Sequence, residues 1–147
     1  MISHRETRFV PYPAELMYQV VSDVEKYPQF LPWVVALRVL SRGDSRLTAE
    51  MAVGYGALRE RYTSQVLLDP AERRVDVSQT SGPFKVLENH WRFVPNGEGC
   101  DIDFSIQFEF KSRLLHSVAS AKFEKALLKM TDAFEARAKT IKEGSAA

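Results

Sequence analysis

Asp101-Ile102-Asp103-Phe104-Ser105-Ile106-Gln107-Phe108-Glu109-Phe110 alternates without a fault between polar and apolar residues. Successive side chains of a strand point to opposite faces. Ile102, Phe104, Ile106, Phe108 and Phe110 therefore share one face, and the intervening polar residues share the other. An apolar face of this length must be buried while its reverse meets water, which is the pattern of an antiparallel sheet with one wet side. The cover follows directly in the sequence. Ser112 is placed to cap a helix. From Leu115 an apolar stripe runs through Ala119, Phe123, Ala126, Leu127, Met130, Phe134, Ala138 and Ile141 with no Gly or Pro. The spacing predicts one long amphipathic helix of about seven turns.

Upstream of that strand the chain is built from similar pieces. Residues 34–40, 47–53, 61–68, 74–79 and 86–94 read as strands. They are separated by Arg42-Gly43-Asp44-Ser45, Gly54-Tyr55-Gly56-Ala57, Asp69-Pro70-Ala71-Glu72, Ser81-Gly82-Pro83 and Pro95-Asn96-Gly97-Glu98-Gly99, all rich in turn formers. Residues 2–10 form a first strand. Pro13 can open a helix on which Ala14, Met17, Val20, Val21 and Val24 recur at threes and fours. Lys26-Tyr27-Pro28-Gln29-Phe30-Leu31-Pro32-Trp33 is too rich in proline to continue it, so a break and a short second helical turn are expected. The fold class is α+β: seven antiparallel strands wrapped around a long C-terminal helix, with two short helices after the first strand. One domain spans residues 1–143, and 144–147 are expected to fray. A twisted sheet curling round a helix leaves a space between them.

Composition sets limits on function. The 147 residues are 45% hydrophobic and 27% charged, an ordinary globular balance. The net charge of +1 argues against a globally basic nucleic-acid binder, and no DNA partner is expected. That figure hides a split: residues 1–110 carry 12 basic and 15 acidic side chains, and residues 111–143 carry 8 basic and 4 acidic. The basic end reads either as a solvated helix face or as a surface for anionic lipid or RNA. The single Cys100 excludes an internal disulfide and a multi-cysteine zinc site. No apolar run reaches the roughly 18 residues of a membrane span, and no secretory h-region opens the chain. A cytoplasmic location is expected.

No catalytic constellation emerges. His4, His90 and His116 have no metal-ligand spacing, and Gly54-Tyr55-Gly56 lacks the third glycine of a dinucleotide loop. No catalytic or metal residue is assigned, and no cofactor is required. The inner faces of the strands are more informative. If Leu87, Trp91 and Phe93 point inward, so does Asn89; Tyr62, Ser64, Val66 and Leu68 likewise share a face. Asn89, Ser64 and the Tyr62 hydroxyl would then be polar points in an apolar interior. They either bond to the protein itself or meet the oxygens of a ligand. The segment from Val24 to Trp33, with three aromatics and two prolines, reads either as a plug at one end of the sheet or as a gate.

Val24-Glu25-Lys26-Tyr27-Pro28-Gln29-Phe30-Leu31-Pro32-Trp33 resembles the V-x-x-Y-P-x-F-(L/V)-P-W motif of the coenzyme Q-binding START-like family. That family lies within the polyketide cyclase/dehydrase and lipid-transport superfamily and includes bacterial ribosome association toxins. The resemblance extends over about residues 2–140 and takes in Gly54-Tyr55-Gly56 and Ser81-Gly82-Pro83-Phe84 followed by Leu87 and Trp91. It implies a helix-grip fold with a hydrophobic tunnel, a ubiquinone-like isoprenoid ligand, a role in respiratory electron transport, and a bacterial member of the family. Within such a tunnel the candidate lining residues are Tyr27, Phe30, Leu31, Trp33, Met51, Tyr62, Ser64, Asn89, Trp91, Phe104, Ile106, Phe123 and Met130. The expected partner is a hydrophobic small molecule, with contact at the inner membrane or with the ribosome through the basic helix as further readings. A non-enzymatic role is expected, a cyclase or dehydratase being the alternative.

Overall fold

A computed structural model describes residues 1–55 and 58–146. Seven strands form a single antiparallel sheet: β1 (Ile2–Val10), β2 (Val34–Arg42), β3 (Arg46–Tyr55), β4 (Leu58–Asp69), β5 (Arg74–Ser81), β6 (Phe84–Asn96) and β7 (Gly99–Phe110). Their spatial order is β1-β7-β6-β5-β4-β3-β2, so six consecutive strands meander and β1 returns beside β7. Of the expected Gly54-Tyr55-Gly56-Ala57 turn, Gly56 and Ala57 lie outside the described residues, as does Ala147.

The alternation of β7 is reproduced in full. Ile102, Phe104, Ile106, Phe108 and Phe110 are all buried. The register sets Trp91 of β6 opposite Phe104 and Asn89 opposite Ile106. Between β5 and β6, Gly82 has φ +149°, and a Cβ there would stand 2.5 Å from the Cβ of Tyr62. Only glycine permits this backbone and this approach, so the turn fixes β4 and Tyr62 against the start of β6.

The helices differ from expectation in their joints. Pro13 is the N-cap of α1 (Ala14–Ser22) and not its first helical residue; its carbonyl accepts the Met17 N–H at 3.1 Å. A 3₁₀ helix, Val24–Gln29, follows, with Pro28 inside it. The expected single C-terminal helix is two segments, α2 (Arg113–Leu128) and α3 (Met130–Ala146), turned at Lys129. Ser112 caps α2 by accepting the Leu115 N–H at 3.2 Å. At the turn the Lys129 N–H bonds to the carbonyls of both Ala126 and Leu127. No Gly or Pro marks this place; the two segments follow different surfaces, α2 lying on β7 and β3 and α3 on α1. The helix also continues to Ala146, through residues expected to fray.

The inner face of β1 was not anticipated. His4, Glu6 and Arg8 lie on its half-buried side. Thr131, buried at the start of α3, donates to Glu6 at 3.1 Å. Arg8 reaches Glu6 at 2.8 Å and Asp132 at 2.6 Å. This cluster fastens α3 to the edge strand with charge-assisted hydrogen bonds, the stronger kind in a partly desolvated setting.

A candidate ligand cavity between sheet and helix

Inward residues of β2 to β7 form one wall of a cavity, and α2 and α3 form the opposite one. Each strand contributes alternate positions: Leu37 from β2, Ala49, Met51 and Val53 from β3, Tyr62, Ser64 and Val66 from β4, Val77 from β5, Leu87, Asn89 and Trp91 from β6, and Ile106 from β7. Phe123 and Leu127 come from α2, Met130 and Phe134 from α3. Val24, Tyr27, Leu31, Trp33 and Val34 complete the lining. The space between atoms is about 750 Å³ with its mouth included. The lining is mostly apolar and, among the described residues, contains no Lys, Arg, His, Asp or Glu.

The polar groups in this wall are unequally occupied. Asn89 is held on two sides: its amide donates to the Ser105 carbonyl at 3.2 Å and its oxygen accepts the Trp91 indole N–H at 2.7 Å. The Tyr62 hydroxyl donates to the Met51 thioether at 3.1 Å, a weak acceptor. Ser64 is 2% exposed, and its hydroxyl has no hydrogen-bond partner among the described residues. Burial raises the pKa of Tyr62 well above that of a free phenol, so it is a neutral O–H donor at any ordinary pH. Tyr27 is also buried in the lining. Its hydroxyl donates to the Val21 carbonyl and its ring meets Phe134 edge-on at 5.2 Å.

Eleven of the thirteen expected lining residues reach the cavity. Phe30 and Phe104 do not. Phe30 follows the 3₁₀ helix on its outer side, packing on Phe134 at 5.3 Å beneath the Arg137 guanidinium at 5.2 Å. Phe104 shares the inward set of β7, but Trp91 covers it at a ring separation of 4.4 Å, and His4 of β1 lies 6.1 Å away. Residues not nominated include Leu127 and Phe134, although both belong to the apolar stripe of the C-terminal helix. Sequence spacing also missed the His4 and Glu6 side chains on an inner face; neither lines the cavity. Among the described residues no cluster of His, Cys, Asp and Glu is arranged to hold a metal, and no helix is long and apolar enough to cross a membrane.

A sheet gripping a C-terminal helix over an apolar cavity defines a START-like protein. The chain belongs to the polyketide cyclase / dehydrase and lipid transport family, whose profile matches residues 10–135. It is 34% identical over 144 residues to the ribosome association toxin RatA of Rickettsia prowazekii, covering 96% of this chain and 99% of that protein. It is 35% identical to the mitochondrial coenzyme Q-binding protein COQ10 homolog B of Xenopus laevis, covering 95% of this chain and 59% of that longer protein. Among solved structures, a START superfamily protein from Mycobacterium smegmatis superposes with a TM-score of 0.79 at 22% identity, over 95% of this chain and 98% of that one. The ZhuI aromatase/cyclase from Streptomyces sp. R1128 superposes with a TM-score of 0.84 at 19% identity, over 94% and 93%. At such identities these two show a shared fold.

Proposed function

We propose that this protein binds a neutral, ubiquinone-like isoprenoid lipid in the cavity and carries it for respiratory electron transport. The observation that carries this reading is the wall itself: mostly apolar, free of charged side chains among the described residues, and interrupted by Asn89 and by the hydroxyls of Tyr62 and Ser64. A buried carboxylate or phosphate would lack a counter-ion there, and desolvating it is costly. A carbonyl oxygen would find donors, because Tyr62 gives up only a thioether and Ser64 gives up nothing. The likeness to a coenzyme Q-binding protein points the same way. The space between atoms is about 750 Å³ with its mouth included, and seating a long tail in it calls for side chains that can repack. Met51 and Met130, unbranched and readily repacked, are the side chains suited to yield. Among the described lining residues the only acids or bases are the neutral phenols of Tyr27 and Tyr62, which favours carriage over cyclase or dehydratase chemistry.

The test compares two ligands of equal chain length, an alkyl benzoquinone and a fatty acid, by thermal shift near neutral pH. The quinone is expected to raise Tm and the carboxylate to leave it unchanged. Absence of any shift with the quinone contradicts the reading. A ribosome-facing role is the second reading, favoured by the similarity to RatA over nearly the whole chain. It predicts salt-sensitive co-sedimentation with ribosomal subunits; protein absent from the subunit fractions at low salt removes it.

A further inference from the structure

The positive charge of the C-terminal region is confined to its first half. Residues 111–129 carry Lys111, Arg113, Lys122, Lys125 and Lys129 against Glu124 alone, whereas residues 130–143 carry three basic and three acidic side chains. In α3 the cations are occupied: Arg137 bonds to Gln29 at 2.8 Å, Lys139 pairs with Glu143 at 4.0 Å, and Lys142 lies 5.5 Å from the Tyr12 ring. The five cations at and around α2 are exposed and have no ion-pair partner among the described residues.

The same helix is apolar on two opposite sides. Ala119, Phe123, Ala126 and Leu127 face inward and are buried. Leu114, Ala121 and Leu128 recur every seven residues and so fall on one line along the outer side. Leu114 is 75% exposed and Leu128 42%. Lys122, Lys125 and Lys129 flank that line. Solvated helix faces do not ordinarily present leucines at both ends of a lysine row.

We propose that the outer face of α2 docks on an anionic phospholipid surface, the leucines entering the headgroup boundary and the lysines meeting lipid phosphates. This combination is that of a helix lying in a bilayer interface. Nucleic acid would use the lysines and leave the leucines without a role. Because Phe123 and Leu127 on the inner side of α2 wall the cavity, docking by this face sets the cavity one helix away from the bilayer.

The test is flotation of the full chain with vesicles of phosphatidylcholine containing 30% phosphatidylglycerol, against phosphatidylcholine alone. Binding is expected only to the anionic vesicles and is expected to fall at least tenfold in 0.5 M NaCl. Lys122→Gln with Lys125→Gln, and separately Leu114→Ser with Leu128→Ser, are each expected to weaken binding at least fivefold. All four positions are exposed, so circular dichroism and Tm are expected to stay near those of the parent chain. No flotation with anionic vesicles overturns the proposal. So does flotation that the leucine pair leaves unchanged, since charge alone would then account for it. Ribosomal co-sedimentation lost in the lysine pair and kept in the leucine pair, without flotation, assigns the face to RNA and also overturns it.

Discussion

Tyr27 and Tyr62 show how a single side chain ties cavity to stability. Both hydroxyls are buried, and burial raises both pKa values above the ordinary 10.0. The neutral phenol is therefore favoured more in the folded than in the unfolded state. Stability from this preference is present in full below about pH 10 and is lost as pH rises toward the folded-state values, at about 1.4 kcal/mol per pH unit for each phenol. Cys100, buried and pushed up from 9.0 to about 11, adds a loss that begins at lower pH. Urea unfolding followed above pH 10 is expected to show this slope, reduced by about one proton in Tyr62→Phe. An unchanged slope in that variant would mean the phenol is ionised as easily folded as unfolded. Tyr62→Phe removes only the bond to the Met51 sulfur, so the variant is expected to fold.

At the scale of elements, the segment from Val24 to Trp33 divides between the cavity lining and the packing outside it. Tyr27, Leu31 and Trp33 line the cavity, while Phe30 lies outside it between Phe134 and Arg137. Phe30→Ala is expected to cost about 1–3 kcal/mol of stability with ligand retention kept. Trp33→Ala is expected to weaken retention roughly tenfold, about 1.4 kcal/mol. Chemical denaturation and ligand titration of both variants separate the two, and equal losses would make the whole segment a plug. The strand faces were legible because a period of two admits only one inward set, and β7 followed it throughout. Depth was not legible. Phe104 belongs to the correct face, yet Trp91 on the neighbouring strand covers it, and cross-strand register is set by turns that spacing alone does not fix. The turn at Lys129 was also hidden, since no Gly or Pro marks it; it arises from the different surfaces on which α2 and α3 pack. The polar inner side of β1 is the converse case. Its alternation of His4, Glu6 and Arg8 carries no hydrophobic signal, and their partners Thr131, Asp132 and Glu135 lie more than a hundred residues away.

At the scale of the whole molecule, a charge-free cavity lies behind a helix whose far side is basic and carries exposed leucines. The fold was readable from periodicity, and the position of the cavity followed from which faces were inward. Its lack of charge became visible only once the residues were assembled, because it depends on which side chains are kept out. The central claim is that a neutral hydrophobic molecule occupies this space. It is tested most directly by mass spectrometry of an organic extract of the purified protein from a quinone-producing host, alongside the Ser64→Asp variant. The account predicts a neutral isoprenoid quinone at near-stoichiometric yield from the parent chain and its loss from the variant, where a carboxylate is buried in the wall. An empty extract from the parent chain, or a fatty acid or phospholipid in the quinone's place, would contradict it.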